Sequence, residues 1–331
     1  MNKAASNIVI FSLLTIALLI TSAADVIFGS VNIGLDSIID SLTSANNGIE
    51  HEIIMNIRLP KMLTAILSGA GLGVAGLMMQ TMFRNPLAGP YILGISSGAT
   101  LGVSIVIMLG TFLGISMFNH WLTIGAAVAG ALIILLLVLA VSKYVKSNVS
   151  LLIIGMMIGN IATSVVGIIQ NYSNPDALKL FILWTYGSLD SVNWHELYIL
   201  ACVISLGLMI AIFELKSLNA MLLGEMYAGS MGVNIKRSRI AIILSTGLLA
   251  GGVTAFVGPI AFVGVAVPHI ARGFMKSANH RLLIPATALI GSTLVLCCDI
   301  ISHLFTHSIP ISTISALVGA PIIIYILLKG E

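Results

Sequence analysis

Ten long apolar runs follow one another along this chain, and only short polar stretches separate them. Charged side chains make up 8% of the 331 residues and apolar side chains 58%, whereas soluble proteins carry about 25% charged residues. So few charges cannot cover a water-exposed surface, but about 20 apolar residues in a helix can cross a bilayer. Runs such as 131–141 also lack the alternation of a membrane β-barrel. The sequence therefore predicts an all-α polytopic membrane protein.

The apolar runs predict about ten transmembrane helices, of which the eighth is short. We treat residues 1–331 as a single transmembrane domain, because no long polar linker interrupts the series. The expected bounds are Ile8–Phe28, Leu63–Met82, Ile92–Leu113, Trp121–Val141, Leu151–Gln170, Leu197–Phe213, Ile240–Val257, Ile260–Gly273, Leu282–Ile301 and Ile314–Leu328.

The positive charges predict how these helices are oriented. If the N-terminus is cytoplasmic and all ten segments span, only Arg58, Lys61 and Lys179 among the 15 basic residues lie outside. This distribution satisfies the positive-inside rule, and the opposite orientation violates it. We therefore expect a multi-pass protein of the cell (inner) membrane with both termini in the cytoplasm.

A Gly-rich stretch, GAGLGVAG at residues 69–76, contains the G-x-G-x-x-G spacing of dinucleotide-binding loops. Such a loop needs an acidic residue roughly 20 positions later for the ribose hydroxyls, and no Asp or Glu occurs between Glu52 and Asp176. Gly69 and Gly73 lie about one helical turn apart and form a small-xxx-small face on which another helix can pack closely. We interpret the stretch as a packing face of the second span.

An internal repeat links the two halves of the chain. ILSGAGLGVAG from Ile66 resembles ILSTGLLAGGV from Ile243, and a Gly/Pro break follows each copy. The copies begin spans two and seven, which run in opposite directions in the predicted topology. The predicted fold therefore contains an inverted repeat of helices 2–5 and 7–10, an arrangement that places a transport path between the halves.

Two connections between spans have unusual sequences. Pro86 and Pro90 cannot donate backbone hydrogen bonds, so FRNPLAGPYILG is expected to be a sheltered, non-helical connection in which Asn85 caps a turn. Residues 214–239 form the longest predicted cytoplasmic loop, with apolar side chains at helical spacing. Gly229 and Gly232 divide this loop into short helices. A half-apolar helical loop suits a partner surface or lipid.

Five motifs, in this order, carry a family resemblance: RLPK at Arg58, NPLAGPYILGISSGA at Asn85, LLGEMYAGSMGV at Leu222, FVGVAVPHIAR at Phe262 and VGAP at Val318. Together they resemble the permease subunits of ATP-binding-cassette (ABC) importers for iron–siderophore complexes, haem and cobalamin, the FecCD/BtuC type. The resemblance covers essentially the whole chain. It implies ten helices per subunit, a second copy of the permease, two cytoplasmic ATPase subunits and a periplasmic or lipid-anchored substrate-binding protein.

The resemblance also implies roles for particular residues. Residues 214–239 would dock into a groove of the ATPase, and helices five and ten would line the path, with Asn160 and Thr163 facing it. Helix packing explains Asn160 and Thr163 almost equally well. The matching coupling positions are Leu223, Gly224, Glu225, Ala228, Met231, Gly232 and Val233, and the matching structural positions are Asn85, Pro86, Pro90, Gly98, Pro268, His269 and Arg272.

Arg58, Lys61 and His303 are the positions expected to dock the binding protein. Arg58 and Lys61 share one helix-end face, which suits a carboxylate on an incoming partner; snorkelling to the membrane interface is the alternative. After helix nine the chain departs from the family pattern, with His303, Ser308 and Ser312 where Arg, Glu and Gly are common. This departure points to a different binding protein.

The sequence predicts no metal site. His303 and His307 have i, i+4 spacing and could ligate haem iron or a metal ion, but we interpret them as solvated periplasmic side chains. The three cysteines, Cys202, Cys297 and Cys298, lie in apolar runs without a metal-binding spacing. His269 has no nucleophile or acid partner nearby in sequence, so we expect it to fix the kink after Pro268 through a hydrogen bond.

These observations predict a non-enzymatic permease that moves a ferric siderophore inward by alternating access, with haem or vitamin B12 as alternative cargo. The chain has no G-x-x-x-x-G-K-[ST] motif, so we expect it to bind no cofactor, with ATP and Mg²⁺ on the ATPase. Its net charge of +3 is too dispersed for nucleic acid. An ion-coupled secondary transporter remains a rival, with Asp299 as the only acid deep in an apolar run.

Overall fold

The computed structural model describes residues 3–29, 31, 33–43, 48–110, 119–145, 147–304 and 309–329, and these contain α-helices without strands. The helices are α1 (Lys3–Ile27), α2 (Leu35–Thr43), α3 (Ile49–Ile53), α4 (Leu59–Phe83), α5 (Ile95–Ser104), α6 (His120–Ser142), α7 (Asn148–Tyr172), α8 (Pro175–Thr185), α9 (Trp194–Phe213), α10 (Leu215–Met221), α11 (Glu225–Ser230), α12 (Ile235–Val257), α13 (Val263–Met275), α14 (His280–His303) and α15 (Ile311–Lys329).

The all-α membrane fold predicted from the apolar runs is confirmed. Within the described residues, seven helices are long and apolar enough to cross a bilayer. The shorter apolar helices at Ile95–Leu109 and Ile311–Tyr325, together with α13, match the remaining predicted spans, so the ten-helix count is approximately right. The chain also forms α8, where a loop was expected. The second span begins earlier than predicted, because α3 and a π-helical turn at Ile54–Arg58 lead into α4 without a break.

Helix α4 lies at the centre of the bundle, and its glycines allow two other backbones to touch it. A Cβ atom added to Gly69 would lie 2.2 Å from the carbonyl oxygen of Gly291 in α14, and one added to Gly76 would lie 1.6 Å from that of Gly264 in α13. The stretch at residues 69–76 is helical throughout and lacks the strand and turn of a dinucleotide-binding loop. Its glycines are therefore a packing face, as predicted.

The helix contacts follow the predicted inverted repeat. In the first half α5 packs against α6 and α7, and in the second half α13 packs against α14 and α15 in the same order. The first helix of each repeat crosses to the other half: α4 packs against α13 and α14, while α12 packs against α5 and α6. Direct contact between α4 and α12 joins the two halves.

The Gly/Pro breaks that follow the two repeat copies meet in the structure. The Tyr91 hydroxyl donates a hydrogen bond to the carbonyl oxygen of Ile260, and Pro90 packs directly against Gly264. Positive φ angles at Gly94 (72°) and Gly258 (89°) let the chain turn at both breaks. The breaks are therefore sheltered by protein, as a non-helical backbone inside a membrane must be.

Replacing Gly76 by Ala should destabilise the protein, because the added methyl group overlaps the Gly264 backbone. Overpacking of this kind costs about 1–3 kcal/mol and more where only backbone can yield. Gly125→Ala in α6 is the matched control, since a Cβ there meets no atom within 4 Å. Thermal unfolding in detergent should show a lower midpoint for Gly76→Ala and an equal or higher midpoint for Gly125→Ala. Equal midpoints for Gly76→Ala and the wild type would contradict the packing assignment.

Candidate functional site

The bundle has two ends of different character. At one end, which we call the α11 end, the C-terminus of α4 meets the N-termini of α7, α12 and α14 together with α10 and α11. At the other, the α8 end, the N-terminus of α4 meets the C-termini of α1 and α14 and the segment after α8. The residues matched to the coupling motif lie at the α11 end, and those matched to the docking positions lie at the α8 end.

Two glycines shape the segment that carries α10 and α11. Gly224, at the start of α11, has a φ angle of 106°, and Gly232, just after its end, has one of 84°. Residues other than glycine rarely adopt backbone conformations in this left-handed region. Between them Ala228 is fully buried, and its carbonyl oxygen accepts a hydrogen bond from the Val233 amide at 3.0 Å. These predicted coupling residues therefore hold α11 in place within this chain.

The exposed surface of the same segment consists of other, larger side chains. Met226 is 88% exposed, Tyr227 68%, Met231 63% and Leu223 61%. Only Leu223 and Met231 belong to the predicted set; Met226 and Tyr227 fall between its members and were missed. Methionine and tyrosine are common at the centres of protein interfaces, and this composition was the available sequence signal. Open clefts flank α11, and the larger, of about 950 Å³, is lined by Leu223, Met231 and parts of α10 and α12.

Glu225 points away from that exposed surface and into the bundle. Its Oε1 atom accepts hydrogen bonds from the Asn148 side-chain amide at 2.8 Å and from the Arg239 guanidinium at 3.0 Å. Asn148 also donates to the carbonyl oxygen of Met82 at 2.6 Å, and Arg239 to that of Val145 at 2.9 Å. Sequence reasoning singled out neither Asn148 nor Arg239, because no local spacing relates them to Glu225.

Helix α10 is attached to a different part of the bundle. The Asn219 side-chain oxygen accepts hydrogen bonds from the His280 backbone amide and from its ring Nδ1 atom, each at 2.9 Å. The other ring nitrogen of His280 lies 2.8 Å from the Thr81 hydroxyl in α4. Helix α10 is thus connected to α14 and, through the buried imidazole, to the last turns of α4.

Residues of the predicted structural motif hold the first Gly/Pro break, which contains Pro86 and Pro90, against α13. The His269 Nε2 atom lies 2.8 Å from the carbonyl oxygen of Pro86, and Arg272 donates to the side chain of Gln80 at 2.7 Å. His269 therefore binds the first Gly/Pro break through the Pro86 carbonyl oxygen, and its role at the Pro268 kink stays a prediction. The Asn85 side-chain oxygen caps the local turn by accepting from the Leu87 amide at 2.9 Å.

Gly98 serves helix packing in the same region. A Cβ atom at this position would lie 2.5 Å from the Gly130 carbonyl oxygen of α6 and 2.4 Å from the Ile134 side chain. Glycine at this position therefore lets α5 and α6 approach closely.

Helix α7 carries the residues predicted to face the transport path. One face is buried, and Gly155 and Gly159 there touch the backbone around Leu93 and Gly94. Asn160 and Thr163 lie on exposed faces, and the Thr163 hydroxyl donates to the carbonyl oxygen of Gly159 at 3.0 Å. Ser164, Gly167 and Asn171 continue an exposed polar stripe from Asn160 at helical spacing. The path-facing role of Asn160 and Thr163 stays a prediction.

Arg58 and Lys61 do not form the exposed cationic face that their spacing suggested. Arg58 is 4% exposed and Lys61 3%. The Arg58 guanidinium donates to the carbonyl oxygens of Val26 at 2.6 Å, Ile27 at 2.9 Å and Val31. The Lys61 ammonium lies 2.7 Å from a carboxylate oxygen of Asp299. Both cations therefore bind partners inside this chain, because the helix face they share turns inward toward α1 and α14.

Asp25, near the end of α1, completes this buried ionic cluster. It is fully buried and lies beside Asp299 and Lys61. Its two carboxylate oxygens are shielded from solvent next to the carboxylate of Asp299. The cluster therefore brings two buried acids together with the ammonium group of Lys61, with Arg58 and His303 nearby. Such a group is costly to disturb in a membrane.

His303 also has its partners within the chain. Its Nε2 atom lies 3.6 Å from a carboxylate oxygen of Asp190, and its Nδ1 atom lies 3.0 Å from the carbonyl oxygen of Asp299. Burial alone would raise the pKa of Asp190, but His303 and the charge of Lys61 outweigh it and hold that pKa below its usual value. His307 and Ser308 lie outside the described residues, and Ser312 donates its amide to the Tyr186 carbonyl oxygen at 3.3 Å.

Removing the charge of Lys61 should destabilise the protein strongly. Lys61→Met removes the ammonium group that pairs with Asp299, and breaking a buried ion pair costs about 3–5 kcal/mol. Lys61→Met combined with Asp299→Asn should recover much of the loss, since the carboxylate that pairs with Lys61 is then absent. Thermal unfolding of the wild type, both single variants and the double variant gives the coupling energy. Additive losses would contradict the ion pair.

Comparisons with known proteins agree with this arrangement. Residues 14–329 match the model of the FecCD transport family. The hemin transport system permease protein HmuU of Yersinia pestis is 33% identical over 292 residues, which cover 87% of this chain and 86% of that protein. The vitamin B12 import system permease protein BtuC of Shigella sonnei is 33% identical over 84% of both chains.

A solved structure shares the fold over nearly the entire chain. It is described as an inward-facing conformation of a metal-chelate type ABC transporter, with a TM-score of 0.84 and 29% identity, and the match covers 98% of this chain and 100% of that one. The family predicted from the five motifs is confirmed by these matches. This multi-pass membrane chain belongs to the FecCD transport family.

Proposed function

We propose that this chain is the membrane-spanning permease subunit of an ABC importer, and that it carries a ferric siderophore inward by alternating access. The observation that supports this most strongly is the exposed surface of Leu223, Met226, Tyr227 and Met231 at the α11 end. Exposed side chains this apolar favour contact with another protein. A permease without a nucleotide-binding motif requires an ATPase subunit as that partner. ATP and Mg²⁺ would bind on that subunit.

The charge distribution supports an orientation with the α11 end in the cytoplasm. Basic side chains are concentrated at this end, among them Arg84, Lys216, Lys236 and Arg281, while acids such as Asp176 and Asp190 lie at the α8 end. Positive residues favour the cytoplasmic side. In this orientation the binding protein approaches the α8 end, and both chain termini are cytoplasmic.

The exposed polar stripe on α7 supports a second copy of the chain as a partner. Polar side chains in a membrane-spanning helix are costly against lipid and line interfaces or water-filled paths. A homodimer that encloses the path between two copies of α7 would shelter Asn160, Thr163 and Ser164. Within one chain the Thr163 and Ser164 hydroxyls bind carbonyl oxygens of α7 itself, so these side chains can face a second copy.

The relatives' cargoes support a bulky metal complex. HmuU is named for hemin transport, BtuC for vitamin B12 import, and the solved neighbour for metal chelates. Haem and vitamin B12 therefore stand as the alternatives to a ferric siderophore. An ion-coupled secondary transporter is disfavoured because Asp299, the acid it would use for coupling, already neutralises Lys61 at 2.7 Å.

Competitive uptake tests the function directly. Vesicles containing this chain, its ATPase and its binding protein are offered labelled ferric siderophore, haem and cobalamin, with and without ATP. We expect ATP-dependent accumulation of the siderophore. Accumulation of haem or cobalamin instead would reject the siderophore as the cargo. Accumulation that does not depend on ATP but follows an ion gradient would reject the proposal of an ABC importer.

A paired variant ties this activity to the exposed α11 surface. Met226→Ser with Tyr227→Ser should abolish ATP-dependent uptake and co-purification of the ATPase, without changing the unfolding midpoint of the chain. Tyr172→Ser is the matched control, because Tyr172 is 73% exposed but lies at the α8 end. Retained co-purification in the α11 variant would contradict the docking surface.

A further inference from the structure

A single carboxylate oxygen at the first residue of α11 connects that helix to several parts of the bundle. Glu225 Oε1 accepts from Asn148, the first residue of α7, at 2.8 Å and from Arg239 in α12 at 3.0 Å. Each donor also binds a second acceptor. Asn148 donates to the Met82 carbonyl oxygen in the last turn of α4, and Arg239 donates to the Val145 carbonyl oxygen just before α7. These two side chains therefore join α11 to α4, α7 and α12.

This connection is the main polar anchor of α11. The helix has only six residues, and Gly224 at its N-terminus provides no side-chain cap. The Arg239 side chain is 7% exposed and the Glu225 side chain 34%, so the ion pair is partly removed from solvent. A charge-assisted hydrogen bond in such a position is stronger and better oriented than a surface ion pair. A displacement of α11 must therefore move Asn148 and Arg239 or break their bonds.

The two halves of the cytoplasmic segment lead to different helices. Asn219 of α10 binds His280 of α14, and His280 in turn contacts Thr81 of α4. Helix α11, in contrast, binds α7 through the hydrogen bond between Glu225 and Asn148. Because α7 is one continuous helix of 25 residues, a movement imposed at Asn148 reaches the polar stripe that begins near Asn160.

We propose that Asn148 and Arg239 are positioning residues that transmit the displacement of α11 to α7 during transport. This inference rests on the proposed function, since it presumes an ATPase that acts on α11. It adds a route through the bundle: Glu225 to Asn148 and along α7, with Arg239 holding the carboxylate in register and fixing the backbone at Val145.

Asn148→Ala tests the route in the complete transporter. The full chain with its ATPase and binding protein is reconstituted in vesicles, and ATP hydrolysis and uptake of labelled ferric siderophore, haem and cobalamin are measured together. The exposed α11 surface is untouched, so the ATPase should still co-purify and hydrolyse ATP. The amount of cargo moved per ATP should fall about tenfold or more, within the roughly 5- to 150-fold range of allosteric coupling.

An exchange variant tests whether the bond itself carries the effect. Asn148→Asp combined with Glu225→Gln swaps donor and acceptor between these two side chains, while the bond from position 148 to the Met82 carbonyl oxygen is lost in both this variant and Asn148→Asp. It should restore the cargo moved per ATP, relative to Asn148→Asp alone, to within about threefold of the wild type, an order-of-magnitude expectation for a recovered hydrogen bond. A folded exchange variant that stays as uncoupled as Asn148→Asp would overturn the route. If Asn148→Ala does not fold, the comparison of Asn148→Asp with the exchange variant tests the route in its place.

Ser147→Ala is the matched control for a general loosening of α7. Ser147 caps the same helix by accepting from the Ser150 amide at 3.4 Å but does not contact Glu225. It should keep the wild-type ratio, and a loss equal to that of Asn148→Ala would overturn the specific role of Asn148. So would a wild-type ratio in Asn148→Ala. Absence of ATP-dependent uptake in the wild type itself would instead reject the proposed function.

Discussion

Gly69 and Gly76 bring the backbone of α4 into direct contact with α14 and α13, and the rest of the bundle is arranged around that contact. In a bilayer the hydrophobic effect does not draw helices together, so close packing and satisfied polar groups must do so. The first helix of each repeat crosses into the other half, and the two Gly/Pro breaks meet through Tyr91 and Ile260. The inverted repeat thus shelters non-helical backbone that neither half could shelter alone.

The two ends of the bundle differ in how they use charge. At the α8 end Arg58, Lys61, Asp25 and Asp299 are buried. Arg58 binds backbone carbonyl oxygens at the end of α1 and Lys61 pairs with Asp299, which ties α4 and the turn before it to α1 and α14. At the α11 end charged side chains hold a short helix whose apolar side chains remain exposed. The buried charges at the α8 end therefore stabilise the contacts among its helices. The α11 end instead carries an exposed surface suited to a second protein, and a polar connection joins that surface to α7.

Much of the fold could be predicted from the sequence because its strongest signals are local. Apolar runs of spanning length, prolines in the breaks and small residues one turn apart each determine a structure within a few residues. Helix α8 was missed because its 11 residues are too few to read as a span. The continuation of α4 back to Ile49 was missed because polar side chains interrupt the apolar pattern there.

The candidate site could be predicted only in part. The spacing of Arg58 and Lys61 shows that they share a helix face, but which face is buried depends on Asp299, a residue distant in sequence. In the same way Glu225 was recognised from its motif, whereas Asn148 and Arg239 become its partners only through the fold. The segment that carries the predicted coupling motif contains two kinds of residue. Gly224, Ala228 and Gly232 of the motif shape the helix, and Met226 and Tyr227, which lie between them, provide its exposed surface.

Maleimide labelling of Thr163→Cys in the assembled transporter tests whether ATP on a partner subunit changes the surroundings of α7. The exposed native thiol, Cys202, is first replaced by Ser so that the new thiol dominates the signal. We expect the labelling rate at position 163 to differ between the nucleotide-free and ATP-bound states. An equal rate in both states, in a complex that hydrolyses ATP and transports cargo, would show that α7 does not respond to ATP.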